Sequence, residues 1–327
     1  MARTAFVTGA TGFIGQNLVE QLAAAGWTVT AFHRPGAVLG LLERLPVARA
    51  EGDLLAPRDV RAAVPEGVDA VFHVAADTSM WRGHRVRQAR VNVEGTRNVL
   101  AASLGARAKR FVHVSTWATY DLSRGDVDET SPQIGGRSPI GYVKTKYLAE
   151  LLVRTAGERG LDAVIVNPAH IIGRYDRHNW ARLIVMAATG RLPGVPPGAG
   201  SFAHGAAVAE ALIGAAERGR RGESYLLGGA DASFLDVVRE VGRLAGRRVP
   251  RRTTPAALLR LAGWLGAVQG AVTGREPPVT PEGVAMALAH ARIVSTKAER
   301  ELGYKPAPLA AMVEDAYRWL KAEGLIR

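Results

Sequence analysis

Tyr142 and Lys146 stand four residues apart in the run YVKTK. On a helix, positions i and i+4 share one face. An ammonium beside a phenol favours the phenolate and draws a tyrosine pKa from about 10 toward neutrality. Such a tyrosine can give or take a proton at a carbonyl or alcohol oxygen. Ser115 and Thr116 close an apolar run at Val114, and either hydroxyl could hold a substrate oxygen and share the charge that develops on it. Asn92, in VNVEGT, adds an amide that could be structural or could relay a proton. His73 and His113 lie in strand-like runs and read as hydrogen-bonded structural histidines. No spacing of histidines and carboxylates makes a metal site. The chain has no cysteine, which excludes thiolate nucleophiles, thiolate metal ligands and disulfides.

A second constellation lies at the start. The first apolar run ends in TGATGFIG, Thr8 to Gly15, and a helical pattern begins at Phe13. Gly9 permits a tight turn. Gly12 lets backbone approach a pyrophosphate, and Gly15 allows close packing of helix on sheet. The free N–H groups at the helix start, around Thr11, Phe13 and Ile14, then face an anion with a favourable dipole. This is a dinucleotide cradle, and Lys146 could hydrogen-bond the nicotinamide ribose. The second strand ends at Phe32-His33-Arg34 with no Asp or Glu for a ribose 2′-hydroxyl. Arg34 suits a 2′-phosphate instead, so NADP(H) is expected ahead of NAD(H). Asp53, in EGDL, could accept from the adenine amino group or simply hold a turn.

These residues need a scaffold that brings strand ends together. Strands are expected at Thr4–Thr8, Thr28–His33, Val47–Glu51, Ala70–Val74, Arg110–Ser115 and Ala163–Val166. Helical patterns run from Phe13 to about Ala25, Val86 to Leu104 and Tyr142 to Arg159. Such alternation predicts an α/β fold with a Rossmann-type doubly wound parallel sheet. The dinucleotide domain is placed at residues 1–170, with a returning segment around 202–230 that includes a strand at Tyr225–Leu227. A smaller, mostly helical substrate lobe takes most of 171–327 and ends in a helix from Leu309 to Glu323. The Gly- and Pro-rich stretch from Gly190 to Gly205 reads as a loop.

The 327 residues are 47% hydrophobic and 22% charged, an ordinary globular balance. The net charge of +12 comes from scattered arginines without aromatic interleaving. It reads as a solvated surface that attracts anionic cofactors, not as a nucleic-acid face. Ala256 to Val272 is the most apolar stretch. Arg260 and Gln269 interrupt it, and it reads as too short to span a bilayer, packing in a soluble domain rather than lying on a membrane surface. Met1-Ala2-Arg3 leads straight into a strand, so no export leader is expected, and with no cysteines the chain fits a reducing cytoplasm.

Together these motifs resemble the extended short-chain dehydrogenase/reductase family over almost the whole chain. The resemblance rests on TGATGFIG, GDL at Gly52–Leu54, HVAA at His73–Ala76, NVEGTRNV at Asn92–Val99, VST at Val114–Thr116, YVKTK, NP at Asn167–Pro168 and STKAERELGYKP at Ser295–Pro306. Within it the chain looks most like the dihydroflavonol-reductase-like branch, which implies ketone or aldehyde reduction with NADPH. The resemblance casts Thr116 as the catalytic hydroxyl, with Ser115 beside it leaving a one-residue ambiguity, Tyr142 as acid/base and Lys146 as its activator. It places Leu54, Ala75, Ala76, Asn167 and Pro168 around the cofactor. It also implies a homodimer through the long helix before the fifth strand and the Tyr142 helix.

Departures refine this. Trp117 and Ala118 replace the Asp-Glu pair of sugar-nucleotide dehydratases, which argues against dehydration. His204-Gly205-Ala206-Ala207 stands where relatives carry an aspartate pair that would cap a helix. Arg174, after Gly173, could hold an anionic substrate or be solvated. Met80, Trp81, Trp117, Tyr175 and Trp180 are candidates for an apolar substrate pocket. The expected reaction is hydride transfer with a Thr-Tyr-Lys set. The alternatives are an NAD-dependent sugar-nucleotide epimerase, disfavoured by the missing acid after the second strand, and a non-catalytic NADP-sensing or nucleic-acid-binding protein, disfavoured by the intact Tyr–Lys pair.

Overall fold

A computed structural model describes residues 2–326. The strands used below are β1 (Thr4–Thr8), β2 (Thr28–His33), β3 (Ala48–Glu51), β4 (Ala70–His73), β5 (Phe111–Val114), β6 (Ala163–Pro168), β7 (His170–Ile172), β8 (Ala199–His204), β9 (Ser224–Leu227) and β10 (Ala230–Ser233). Seven form one sheet in the order β9-β6-β5-β4-β1-β2-β3, and every pair is parallel. Both faces of this sheet are covered, so β5 (FVHV) and β6 (AVIVNP) are buried along their whole length and read as continuous rather than alternating apolar runs. The chain reverses its direction of travel across the sheet between β1 and β4. That switch point opens a crevice at the carboxyl ends of the strands.

The helices used below are α1 (Phe13–Ala24), α2, α3 (Gly141–Glu158), α4 (Trp180–Ala188), α5 (Gly205–Arg218), α6 (Phe234–Ala245), α7 (Ala256–Thr273), α8 (Pro281–Leu288) and α9 (Leu309–Ala322). The second, α2, is a helix in three consecutive pieces: Arg85–Ala89, a π-helical turn at Arg90–Glu94 and Gly95–Gly105. On one face of the sheet, Ile14, Leu18 and Leu22 of α1 and Val208 and Leu212 of α5 pack on Val7, Phe72 and Val112. On the other, Val99 and Leu100 of α2 and Val153 of α3 pack on Phe6, Phe111 and Ile165.

Two expectations change. Gly190–Gly205 is not one loop, because its last third forms β8, the centre of a three-stranded sheet between antiparallel β10 and parallel β7. Its glycines serve close packing: a Cβ on Gly198 would lie 1.9 Å from the Ala287 carbonyl oxygen, and one on Gly200 3.2 Å from the His170 ring. The Ala256–Val272 stretch forms an 18-residue helix, α7, the one described helix long and apolar enough by length and composition to cross a membrane. It does not pack as a core helix, since only Gly263, Gly266 and Gly270 are buried.

The first turn explains Gly15. A Cβ there would sit 2.0 Å from the Gly9 carbonyl oxygen and 2.9 Å from the Ala10 Cα, all backbone that cannot swing away. Gly15→Ala should therefore destabilise the fold by about 1–3 kcal/mol, the usual scale of core overpacking. A melting temperature unchanged within a degree, by circular dichroism, would contradict this packing.

Candidate active site

The glycine turn lies at the switch point. Gly9 has φ +69°, the left-handed region that favours glycine, and a Cβ on it would lie 2.7 Å from the Ala75 nitrogen. The turn at the end of β1 thus touches the segment leaving β4, which carries Ala75 and Ala76. Thr8 Oγ1 fastens the two, donating to the buried His73 ring at 2.8 Å or accepting from it, and accepting from Ala75 N at 3.3 Å. Gly12 is the N-cap of α1 and supplies no capping side chain, so the first N–H groups of the helix face the crevice unsatisfied by a cap. The residues here fit a dinucleotide: a cradle free of side chains at a helix start. Arg34 follows β2, is exposed and makes no ion pair among the described residues. Asp53 Oδ1 accepts from Leu55 N at 2.9 Å, so this carboxylate does hold a turn, and Leu54 is buried behind it, its carbonyl accepting from Asn98.

Of the two neighbouring hydroxyls, Ser115 turns away to donate to the buried Glu150, whereas Thr116 lies on the side of the Tyr142 phenol and accepts from Ala118 N at 3.3 Å. Backbone direction makes the difference: successive side chains leave an extended segment on opposite faces. Tyr142, in the first turn of α3, is half-buried. Burial pushes its phenol above the ordinary value, and Thr116 pulls it back only in part.

This corrects the expectation that Lys146 lowers the phenol. The Lys146 ammonium points into the protein, donating to the Val114 carbonyl at 2.6 Å and facing His113 Nε2 at 3.5 Å. Burial lowers its own pKa to about 8, against the pull of Glu150, which raises it. His73 and His113 are neutral: burial, then the Lys146 charge, brings His73 to about 3 and His113 well below its usual range. His73 is hydrogen-bonded through both ring nitrogens, to Thr8 and Thr96, whereas His113 Nδ1 is buried without a partner.

Glu150 was not singled out in the sequence. It lies one turn beyond Lys146 on α3, is fully buried, and accepts from Ser115, Thr119 (3.2 Å), Gln133 (2.7 Å) and Asn167 (2.8 Å). The spacing 142, 146, 150 was the available signal, a single helical face carrying phenol, ammonium and carboxylate. Asn167, at the end of β6, also donates to the Thr116 carbonyl at 3.1 Å, and its amide oxygen is buried without a partner. Pro168 closes the strand beside it.

Asn92 sits in the π turn of α2, and its amide is fully used. Oδ1 accepts from Asp77 N at 2.7 Å, while Nδ2 donates to the Asp77 carbonyl and to Thr145 Oγ1, each at 3.0 Å. Thr145 donates in turn to the Tyr142 carbonyl at 2.9 Å. In this geometry Asn92 staples the loop after β4 to the first turn of α3.

The five apolar candidates do not share one pocket. Trp117 and Trp180 flank His170, with ring centroids 5.0 and 5.3 Å away, in a cluster completed by Phe202 and Phe234. Burial brings His170 to about 4. Met80 and Trp81 belong to a separate wall, where Thr280 donates to the Met80 carbonyl at 2.8 Å and Trp81 stacks edge-on against His84. Tyr175 lies elsewhere, its hydroxyl donating to Glu20 of α1 and its ring packed on Trp319. Arg174 is paired with the same Glu20 at 2.8 Å. His204 ends β8 and pairs with Asp315 of α9 at 3.0 Å, and α5 starts without a side-chain cap. No group of three or more metal-binding side chains occurs among the described residues.

A family model described as the NAD dependent epimerase/dehydratase family matches residues 5–228. The chain belongs to that family. It is an enzyme of the extended short-chain dehydrogenase/reductase type, as its motifs imply. A Stigmatella aurantiaca 4-hydroxy-2-methyl-3-oxo-4-farnesyl-3,4-dihydroquinoline-1-oxide ketoreductase is 35% identical over 91% of each chain. A Synechocystis protein that carries the name of a dihydroflavonol 4-reductase is 32% identical over 100% of this chain and 97% of its own. The crystal structure of gox2253 superposes with a TM-score of 0.86 at 32% identity, covering 99% of both chains.

The lysine pKa is directly testable. With 13C-labelled lysines followed by NMR, one buried lysine that disappears in Lys146→Met should titrate near pH 8. Glu150→Gln removes the charge that holds the proton on, so the midpoint should fall further. A Lys146 still charged above pH 10 would contradict this electrostatic picture.

Proposed function

We propose that this enzyme is an NADP-dependent oxidoreductase that reduces a ketone or aldehyde, or oxidises the corresponding alcohol, by hydride transfer. The observation that carries the reading is the placing of Tyr142 and the buried Lys146, one turn apart on α3, against the end of β5 and the Thr116-Trp117-Ala118 turn that follows it. The reductase and ketoreductase names of the relatives support it. When bound, the reduced dinucleotide supplies the hydride. The residues that would hold it are Gly9, Thr11, Gly12, Phe13, Ile14 and Gly15 at the pyrophosphate, Arg34 at a 2′-phosphate, Asp53 and Leu54 toward the adenine. Ala75, Ala76, Tyr142, Lys146, Asn167 and Pro168 would line the nicotinamide half.

Thr116 orients the carbonyl oxygen by hydrogen bonding, and Tyr142 donates its proton as that oxygen gains negative charge. A phenol kept protonated by burial is suited to the acid role. Asn92 keeps the first turn of α3 in place. Residues 1–170 and the returning segment around 202–230 would form the cofactor unit, and most of 171–327 the substrate walls. We place the enzyme in the cytoplasm as a homodimer, with exposed Leu104 of α2 and Leu151 of α3 as apolar positions for a second copy to cover. The absence of a carboxylate after β2 weighs against a tightly held NAD and epimerase chemistry.

Two measurements test this. Calorimetric titration should show NADPH bound more tightly than NADH, and Arg34→Ala should weaken NADPH by roughly tenfold to a hundredfold, the value of a charge-assisted hydrogen bond, with little effect on NADH. Equal affinities, or stoichiometric NAD in the purified protein, would favour an epimerase. Tyr142→Phe should lower kcat on a turned-over carbonyl by about 10²–10⁴. Unchanged turnover would refute the proposed acid.

A further inference from the structure

The helix α7 has its faces reversed. Its small residues Gly263, Gly266 and Gly270 face the protein, and its bulky residues face out. Leu258, Leu261, Leu265, Val268 and Val272 recur at spacings of three and four, which aligns them in one stripe opposite the glycines. They are between 45% (Val268) and 81% (Val272) exposed, and Trp264, at 61%, widens the stripe. The inner face is fixed. A Cβ on Gly266 would lie 1.9 Å from the Val279 carbonyl oxygen, and one on Gly263 3.2 Å from the Val284 side chain of α8.

The run of chain that leads into and through α7 carries charge of one sign, and the carboxylates beyond it, Glu276 and Glu282, are taken up by Ser79, His84 and Arg82. From Arg247 to Arg275 there are six arginines (247, 248, 251, 252, 260 and 275) and no Asp or Glu, so 29 residues carry +6 of the net +12. None of the six forms an ion pair among the described residues. Elsewhere many arginines do pair, such as Arg110 with Asp162 and Arg220 with Glu301. Arg247, Arg248 and Arg251 line an open depression of about 950 Å³ just before α7.

We propose that α7 docks this protein on the surface of an anionic lipid bilayer. The stripe and Trp264 enter the boundary between headgroups and acyl chains, and the unpaired arginines meet lipid phosphates. The helix lies on the bilayer and does not span it, because its glycine face is held by the backbone of the segment leading to α8. A second copy of the chain fits less well. The spacing would allow a coiled-coil seam, but the flanking positions Ala262, Trp264, Gln269 and Ala271 offer no charges to pair across one. Six unneutralised arginines would also repel their own copies.

The docking face adjoins the cleft. Gly270 packs under Trp81, where a Cβ would lie 3.0 Å from the indole nitrogen, and Thr280 bonds the Met80 carbonyl. The loop that Asn92 staples beside the proposed cofactor site is therefore also the loop that meets α7. If the reductase reading holds, an apolar carbonyl compound dissolved in the bilayer could enter beside Met80 and Trp81. The docking itself does not depend on that reading.

The test uses the full chain and co-sedimentation with vesicles. Equimolar phosphatidylglycerol and phosphatidylcholine should bind it at least tenfold more tightly than phosphatidylcholine alone, and salt should weaken the binding. Leu261→Glu combined with Leu265→Glu should lose at least tenfold while keeping the wild-type melting temperature and NADPH affinity, since both side chains already face solvent. Arg251→Gln with Arg252→Gln should weaken the anionic preference. Because the chain has no cysteine, Leu265→Cys can be labelled with an environment-sensitive dye, whose emission should shift to the blue on vesicle addition. Equal binding to both vesicles, or binding unaffected by the double Glu variant, would overturn the proposal. So would a lipid-free dimer that this variant splits, which would assign the face to a second copy. Loss of NADPH turnover with vesicle binding intact would refute only the reductase reading.

Discussion

A lysine ammonium buried at the end of β5 must be compensated, and the compensation organises the centre of this protein. Removing a charge from water costs on the order of several kcal/mol even after relaxation. Lys146 recovers part through the Val114 carbonyl and part through the field of Glu150. Glu150 is itself fully buried, so it requires donors, and it collects them from four separate places: the end of β5, the turn after it, the loop at Gln133 and the end of β6. One carboxylate thereby sets the spacing of two strand ends and a helix. The placing of Thr116 on the side of Tyr142 is a product of that spacing.

The opposite wall of the crevice depends on contacts that leave no room for side chains. Gly9 against Ala75 and Gly15 against Gly9 draw the first turn of α1 onto the sheet, and a Cβ at Gly205 would similarly meet the Phe13 ring at 2.8 Å. Between the two walls runs the Asn92 staple. A π-helical turn in α2 carries it, and inserting a residue into the helical ladder is a recognised way to aim one side chain at a specific target. Rigid elements therefore hold the phenol, the ammonium and the glycine cradle, whereas the Met80–Trp81 wall hangs on contacts with the C-terminal segments.

Those segments follow a different logic. In α1 and α3 the apolar face is turned to the core, as amphipathic helices normally are. In α7 the backbone packs so closely that only glycines fit beneath it, and the bulk is left outside. Hydropathy cannot tell these cases apart, because it counts apolar residues without saying which neighbours will cover them.

What the sequence determined by itself was the set of local and repeated signals. Strand–helix alternation, the glycine turn after β1, the Tyr142–Lys146 spacing and the missing acid after β2 each follow from short-range periodicity or from one residue's chemistry. The parallel sheet and the family follow from them. The tertiary structure decided what depends on residues far apart in the chain. It separated Ser115 from Thr116 by giving one of them a buried carboxylate partner. It turned Lys146 inward, so the phenol is raised by burial rather than lowered by its neighbour. It made a strand of Ala199–His204 by pairing it with His170–Ile172 and Ala230–Ser233, paired Arg174 with Glu20, and split the five apolar candidates among three surroundings. Each outcome is a competition among partners brought together only by folding, and a linear pattern contains no record of which partner wins.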